Sequence, residues 1–211
     1  TATHDIPPPS PLRLVTQRWS LRDSNWAIDF SQAARTVADF YQAETGQTVD
    51  GVIGITAQAG QALVRLLGSV PLADGTQLTA DTFYDTLSYQ VEKGYFLDPA
   101  NRVVNEPKVV IAQLVVMVAR RLVAPWTLNR AAGWLQVMLA TKQITASFFD
   151  SPRQTLIESR GWANTVDHQS QQYLTINNAN IGGMKSSVKM TQAVNLSITD
   201  AGTGLATYRL T

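Results

Sequence analysis

Val49-Asp50-Gly51-Val52-Ile53-Gly54-Ile55-Thr56 (VDGVIGIT) is a short apolar run, rich in β-branched residues and bounded by polar groups. A run of this kind suits a strand buried on both faces, which places it at the centre of a sheet. Gly51 and Gly54 leave room there for close packing. On its N-terminal side, Ala34, Val37, Ala38 and Tyr41 recur at helical spacing, with Asp29 as N-cap and Gly46 as a left-handed stop. On its C-terminal side, Ala59, Ala62, Leu63, Leu66 and Leu67 form a second apolar stripe that ends at Gly68, before a short strand at Val70. Helix, strand, helix and strand in succession are the pattern of an α/β layer.

The rest of the chain extends this layout. Asp74-Gly75 marks a turn, and Thr79 is placed as the cap of a helix carrying Phe83, Leu87 and Val91. A loop is expected from Lys93 to Asn105. Pro107 then opens a long helix in which Val110, Leu114, Val118 and Leu122 face inward, and Pro125 stops it. Thr127 opens the next helix, through Ala131, Leu135 and Leu139. Gln143 to Phe149 has strand character, and Ser151-Pro152 is an N-cap and first-turn pair for a short helix ending at Gly161. Beyond it the period changes to two. Tyr173 to Asn177, Ser187 to Thr199 and Leu205 to Leu210 read as strands, with Asp200 to Gly204 (DAGTG) as a hairpin loop. The expected fold is α/β with α+β character: a mixed central sheet flanked by helices and ending in antiparallel strands.

Pro7, Pro8, Pro9 and Pro11 fix φ and remove backbone donors, so residues 1–11 read as a leader or linker and residues 12–211 as one domain. The first residue is Thr1, and no charged segment followed by an apolar one comes after it, which fits an excised ectodomain or a processed product. The apolar stretch from Val109 to Ala124 is interrupted by Gln113, Arg120 and Arg121. It is too short and too polar to span a bilayer and reads as a buried helix.

Composition narrows the function. Of 211 residues, 45% are hydrophobic, which supports a real core, while only 16% are charged, so uncharged polar groups must cover much of the surface. The formal net charge of +1 provides no field to gather nucleic acid. Cysteine is absent, which removes disulfides, thiolate metal sites and cysteine nucleophiles. The two histidines, His4 and His168, are far apart in sequence, and without cysteine they offer no ordinary zinc spacing. No G-x-S-x-G elbow accompanies His168.

Two polar clusters remain. Ser20-Leu21-Arg22-Asp23-Ser24-Asn25 puts an arginine beside an aspartate, a pairing that can supply an anion fork and a metal-binding carboxylate, or simply a surface ion pair. Asn180-Ile181-Gly182-Gly183-Met184-Lys185-Ser186 has the glycines and lysine of a phosphate loop, but Met184 stands where the second glycine belongs. Asn180, Gly182, Gly183 and Lys185 are therefore read as a structural bulge or turn. Of the five tryptophans, Trp134 lies in a helical pattern and reads as core, whereas Trp19 and Trp26 flank Arg22-Asp23 in a polar segment where partial exposure is expected.

Taken together, Leu21 to Trp26 with Asp29-Phe30, Phe40-Tyr41 with Thr45-Gly46, Val49 to Ile55, Tyr89 to Tyr95 (YQVEKGY) and Asn180 to Ser186 resemble a bacterial envelope family that bears only a domain-of-unknown-function label. The resemblance implies a site outside the cytoplasmic membrane, behind an N-terminal anchor. More distantly, the order of elements is similar to the LytR-type phosphotransferases, which move wall polymers from polyprenyl-pyrophosphate carriers onto peptidoglycan. In that likeness Arg22 and Asp23 fall on the first arginine and aspartate, and Arg102 near a later arginine. Val91, Lys93 and Asn105-Glu106 stand where further cationic groups belong. The likeness implies a degraded phosphate site with Arg22, Asp23, Arg102 and Lys93 as ligand-binding residues, a polyprenyl phosphate, wall glycan or protein as partner, and no cofactor. An active enzyme would instead use Mg²⁺ at Asp23, and a third reading is a structural spacer of the envelope.

Overall fold

The computed structural model describes residues 6–72, 74–104, 109–122, 124–125, 127–166, 174–176, 178, 190–200, 202 and 206–211. The Asn180 to Ser186 motif, His4, His168, Pro107 and Trp126 lie outside the described residues. The chain divides into two compact units, Thr1–Asn177 and Asn178–Thr211.

The first unit is built mainly of helices: α1 (Phe30–Thr45), α2 (Ala57–Leu67), α3 (Phe83–Glu92), α4 (Pro99–Val104), α5 (Val109–Leu122), α6 (Leu128–Ala140) and α7 (Ser151–Ser159). Its strands are β1 (Gly51–Ile55), β2 (Val70–Pro71), β3 (Gln77–Leu78) and β4 (Ile144–Phe148). β1 pairs antiparallel with β4, from Gly51 opposite Phe148 to Ile55 opposite Ile144. β2 and β3 form a minimal hairpin, with Val70 opposite Leu78. The second unit holds β5 (Leu196–Asp200) and β6 (Ala206–Leu210), an antiparallel hairpin that turns through Gly202 at φ +70°. Helices mixed with small antiparallel sheets, closing on antiparallel strands, make an α+β fold.

Pairing is where the structure departs from one central mixed sheet: the described strands form three two-stranded antiparallel sheets. β1 is therefore not central among the described strands. Its alternate residues explain how an all-apolar run occupies such a place. Val52 and Gly54 face Phe30, which packs with Ala33, Ala34 and Val52, whereas Ile53 and Ile55 on the other face are 60% and 64% exposed. A run of β-branched residues specifies a strand but not the number of its neighbours.

The largest apolar cluster joins Val64 of α2, Val70 and Leu78 of the β2–β3 hairpin, Phe83 of α3, and Leu114 and Val118 of α5. α2 presents Val64 to this cluster and Ala59 to a second one, formed with Leu139 of α6 and Ile144 of β4. The α5 stripe is the one expected, with Val110 and Leu122 packed against the cluster that buries Leu114 and Val118. The helix as a whole is only half-buried, because a single stripe of its apolar surface meets the core and Val115 and Val116 face outward. Among the described residues no helix is long and apolar enough to cross a membrane.

Several boundaries shift for local reasons. α1 is capped as expected: Asp29 Oδ1 accepts from the Ser31 and Gln32 N–H groups, and Gly46 closes the helix at φ +73°. The cap of α3 is Thr82; the Thr79 hydroxyl accepts the Thr82 N–H at 3.2 Å and closes the turn before the helix. The cap of α7 is Asp150, which moves Ser151 to the first helical position. The expected loop from Lys93 to Asn105 contains a 3-10 turn, Gly94–Leu97, and α4. Within the run from Ser187 to Thr199, residues 190–195 have no regular structure and the strand begins at Leu196; residues 174–176 are also irregular. Alternation assigns faces, but a strand also needs a partner in register. In the proline-rich stretch Pro8 is buried, and its carbonyl accepts a bond from Arg13 Nε.

Candidate functional site

A polar cleft of ~390 Å³ opens where the segment before α1, the end of β1, the turn between α6 and β4, and Asn164 converge. Its floor is Gly54. A β-carbon there would lie 2.8 Å from both Phe30 Cε2 and Thr145 Oγ1, so the bare backbone is what lets these two side chains close against the strand. Thr145, opposite Gly54 in the β1–β4 ladder, is only 6% exposed. Thr145 lines the cleft, and among the described residues its hydroxyl has no hydrogen-bond partner and is not fully shut off from the cavity.

The walls are built by local rules. Thr56 caps α2: its hydroxyl accepts the Ala59 N–H at 3.2 Å and donates to Gln143 Oε1 at 2.5 Å, while its own N–H donates to the Gln143 carbonyl at 2.9 Å. This ties the start of α2 to the turn after α6. Lys142 in that turn and Asn164 have φ of 58° and 50°, and both line the cleft. Asparagine adopts this left-handed conformation readily, lysine at some cost. Lys142 Nζ donates to the Gly161 carbonyl, and the Asn164 carbonyl accepts the Phe30 N–H at 3.3 Å, which joins this wall to the start of α1.

Asp29 anchors the same corner from behind. Burial acts to raise its carboxyl pKa, but bonds donated by the Ser31 hydroxyl and by the Val166, Gln32 and Ser31 N–H groups outweigh it and hold the group below the ordinary carboxylate value. An ionised Asp29 thus fixes the beginning of α1 and, with it, Phe30 at the cleft floor.

The four residues marked in the sequence lie elsewhere. Arg22 and Asp23 sit in a 3-10 turn, Leu21–Asp23, packed against α1, and pair with each other at 3.3 Å; their side chains are 68% and 26% exposed. Lys93 lies at the junction of α3 and the Gly94–Leu97 turn. Arg102, on α4, donates to the Phe96 carbonyl at 3.1 Å, and the Phe96 N–H donates to the Lys93 carbonyl. The structure therefore brings Arg22 to Asp23, and Lys93 into the same corner as Arg102. None of the four lines the cleft. A second cavity, an apolar groove of ~550 Å³ between β2 and α5, is lined by Pro71, Leu72, Ala112, Gln113, Val116 and Met117, and none of the four lines it either. Among the described residues no three histidine or carboxylate side chains are grouped to hold a metal ion.

Trp19 and Trp26 are partly exposed, as expected, and Trp19 donates its indole N–H to the Asp23 carbonyl. Trp134 packs against the α2–α6–β4 cluster, with its indole N–H buried and without a partner among the described residues. Sequence reading singled out Gly54 for close packing and Trp26 for exposure but passed over Thr145, Lys142 and Asn164. An unpartnered hydroxyl on a strand and a left-handed lysine leave no mark in a linear pattern.

An α+β domain with an exposed ion pair, a polar cleft and a separate apolar groove is the class defined by these observations. Residues 6–91 are similar to a family whose model is described as a protein of unknown function (DUF4012). The matched stretch carries Arg22, Asp23, Asn25, Trp26 and Gly54, and it ends before Lys142, Thr145 and Asn164. No curated protein and no solved structure matches the chain.

Proposed function

We propose that this chain is an extracytoplasmic domain of the bacterial cell envelope that binds an envelope ligand in its polar cleft, with a LytR-like layout whose phosphate site has lost its cationic set. The observation that carries the binding reading is the cleft itself: a cavity of ~390 Å³ lined by Asn25, Trp26, Thr145 and Asn164, whose side-chain polar groups have no hydrogen-bond partner among the described residues. Polar side chains that converge on a cavity with no partner of their own are natural contacts for a bound molecule. The envelope setting rests on the likeness of the Leu21 to Trp26 and Val49 to Ile55 motifs. The binding role, in place of phosphoryl transfer, rests on charge. Phosphoryl transfer needs several cationic groups converging on the transferred oxygens, and the Arg22 guanidinium is paired with Asp23 at the surface. A cavity of ligand size also favours binding over a purely structural spacer.

Calorimetric titration with purified wall-polymer fragments and with vesicles containing a polyprenyl phosphate tests this reading. Saturable binding to one of them, weakened about tenfold or more by Thr145→Val, is the expected result. Valine keeps the shape of the side chain and removes only the hydroxyl. Absence of saturable binding to every probe, or binding indifferent to the substitution, overturns the reading.

A further inference from the structure

We infer that the cleft recognises a neutral sugar unit in preference to a phosphate; this rests on the reading above that the cleft is the ligand site. Asn25, Trp26, Thr145 and Asn164 all line the cleft, and among the described residues the two side-chain amides, the indole N–H and the hydroxyl have no hydrogen-bond partner. Each amide carries both donors and an acceptor, and a hydroxyl does the same. A sugar hydroxyl also donates and accepts, so its needs match such a set group for group. A phosphate oxygen only accepts and is bound best by charged forks.

Charge points the same way. Lys142 is the one charged residue among those lining the cleft, and its ammonium donates to the Gly161 carbonyl. Arg22, close in sequence to Asn25 and Trp26, is on Asp23 and outside the lining. Trp26 adds an aromatic surface of the kind that packs against the C–H face of a sugar ring. A volume of ~390 Å³ lies near the lower end of ligand pockets, which run from about 300 to 1,000 Å³, and suits a short glycan unit.

The test is titration of the chain with neutral oligosaccharides, oligomers of N-acetylglucosamine and of glucose, alongside inorganic phosphate and pyrophosphate. Two variants are compared with the parent: Asn25→Ala, at an exposed position, and Asn164→Gly, which keeps the left-handed backbone and removes the amide. Thermal melting of both variants establishes that they fold. The expected result is saturable binding of a neutral oligosaccharide, reduced about tenfold or more in each variant, with no saturable binding of phosphate or pyrophosphate. Pyrophosphate binding that is lost in the variants, with no oligosaccharide bound, overturns the sugar assignment and leaves the cleft as the ligand site. Oligosaccharide binding unchanged in both variants overturns the assignment of the sugar to this cleft. No binding of any probe overturns the inference, while the wall-polymer and polyprenyl titrations decide separately whether the cleft reading survives.

Discussion

The Val166 N–H donates to Asp29 Oδ2 at 2.9 Å, across 137 residues of chain. The other oxygen of the same carboxylate caps α1 through Ser31 and Gln32. One buried side chain therefore starts a helix and holds the segment after Ala163 against it. Phe30 follows directly, and its ring sets one side of the cleft floor. The site's geometry consequently depends on a group that is not itself part of the cleft lining.

Replacing that carboxylate has a signed consequence. Asp29→Ala removes the cap and the tie to Val166 together, and a loss of about 1 to 2 kcal/mol is expected from the cap alone. The pKa of Asp29 is lowered in the folded state, so its contribution to stability is fully present above the ordinary carboxylate range and is lost as pH falls through the lowered value. Asp74, held down chiefly by the Thr76 N–H, works in the same direction. Denaturant unfolding followed from pH 7 towards pH 2 should show parent and Asp29→Asn curves converging at the acid end. Parallel curves would show that the carboxylate is not the source.

Gly54→Ala tests the cleft floor. The added β-carbon meets Thr145 Oγ1 and Phe30 Cε2 at 2.8 Å, and Phe30 is itself buried against Ala33 and Ala34. Overpacking of this kind costs about 1 to 3 kcal/mol. Urea unfolding should register the loss; an unchanged midpoint would mean that Phe30 swings aside freely and that the floor is not fixed.

How far the sequence could be read follows from the range of the interactions. α1, α2 and the β5–β6 hairpin were legible because Asp29 and Gly46, the Ala59-to-Leu67 stripe with Gly68, and the alternation leading to Leu205–Leu210 are local signals whose partners lie within a few residues. The strand at Gly51–Ile55 was legible as a strand, but its having a single partner among the described strands was not, because that depends on how many strands bond to it. The site was legible only in part. Gly54 and Trp26 stand in a motif, whereas Thr145 and Asn164 join them through the β1–β4 register and the bond from Phe30 to Asn164. Arg22 and Asp23 were visible as a pair, and the structure keeps them as one; whether they meet a cavity is a matter of packing, which adjacency in sequence does not encode.

The Arg22–Asp23 pair is exposed, and exposed pairs are typically worth between 0 and about 1 kcal/mol. Arg22→Ala is therefore expected to change the unfolding midpoint little and to leave binding of a neutral oligosaccharide intact. Binding measured at low and at high salt gives the discriminating readout. A strongly salt-dependent affinity that disappears in Arg22→Ala would restore this arginine as an anion contact.

Two helix glycines should respond to the same substitution with opposite signs. Within a helix, alanine in place of glycine ordinarily stabilises by about 1 kcal/mol, because glycine loses more backbone freedom on folding. Gly133, in α6, has nothing within 4 Å of the position its β-carbon would take, so Gly133→Ala should realise that gain. Gly60, in α2, is different: its β-carbon would lie 2.7 Å from Phe83 Cζ. That ring is a buried member of the cluster that also holds Val64, Leu78 and Leu114, and a planar ring packed on several sides cannot yield as the end of a lysine can. The overpacking cost, about 1 to 3 kcal/mol, exceeds the propensity gain. Thermal melting of the two single variants should therefore move in opposite directions, upward for Gly133→Ala and downward for Gly60→Ala. If both rise by the same amount, Phe83 has room to retreat, and the close approach of α2 to α3 at this point is not what fixes the core.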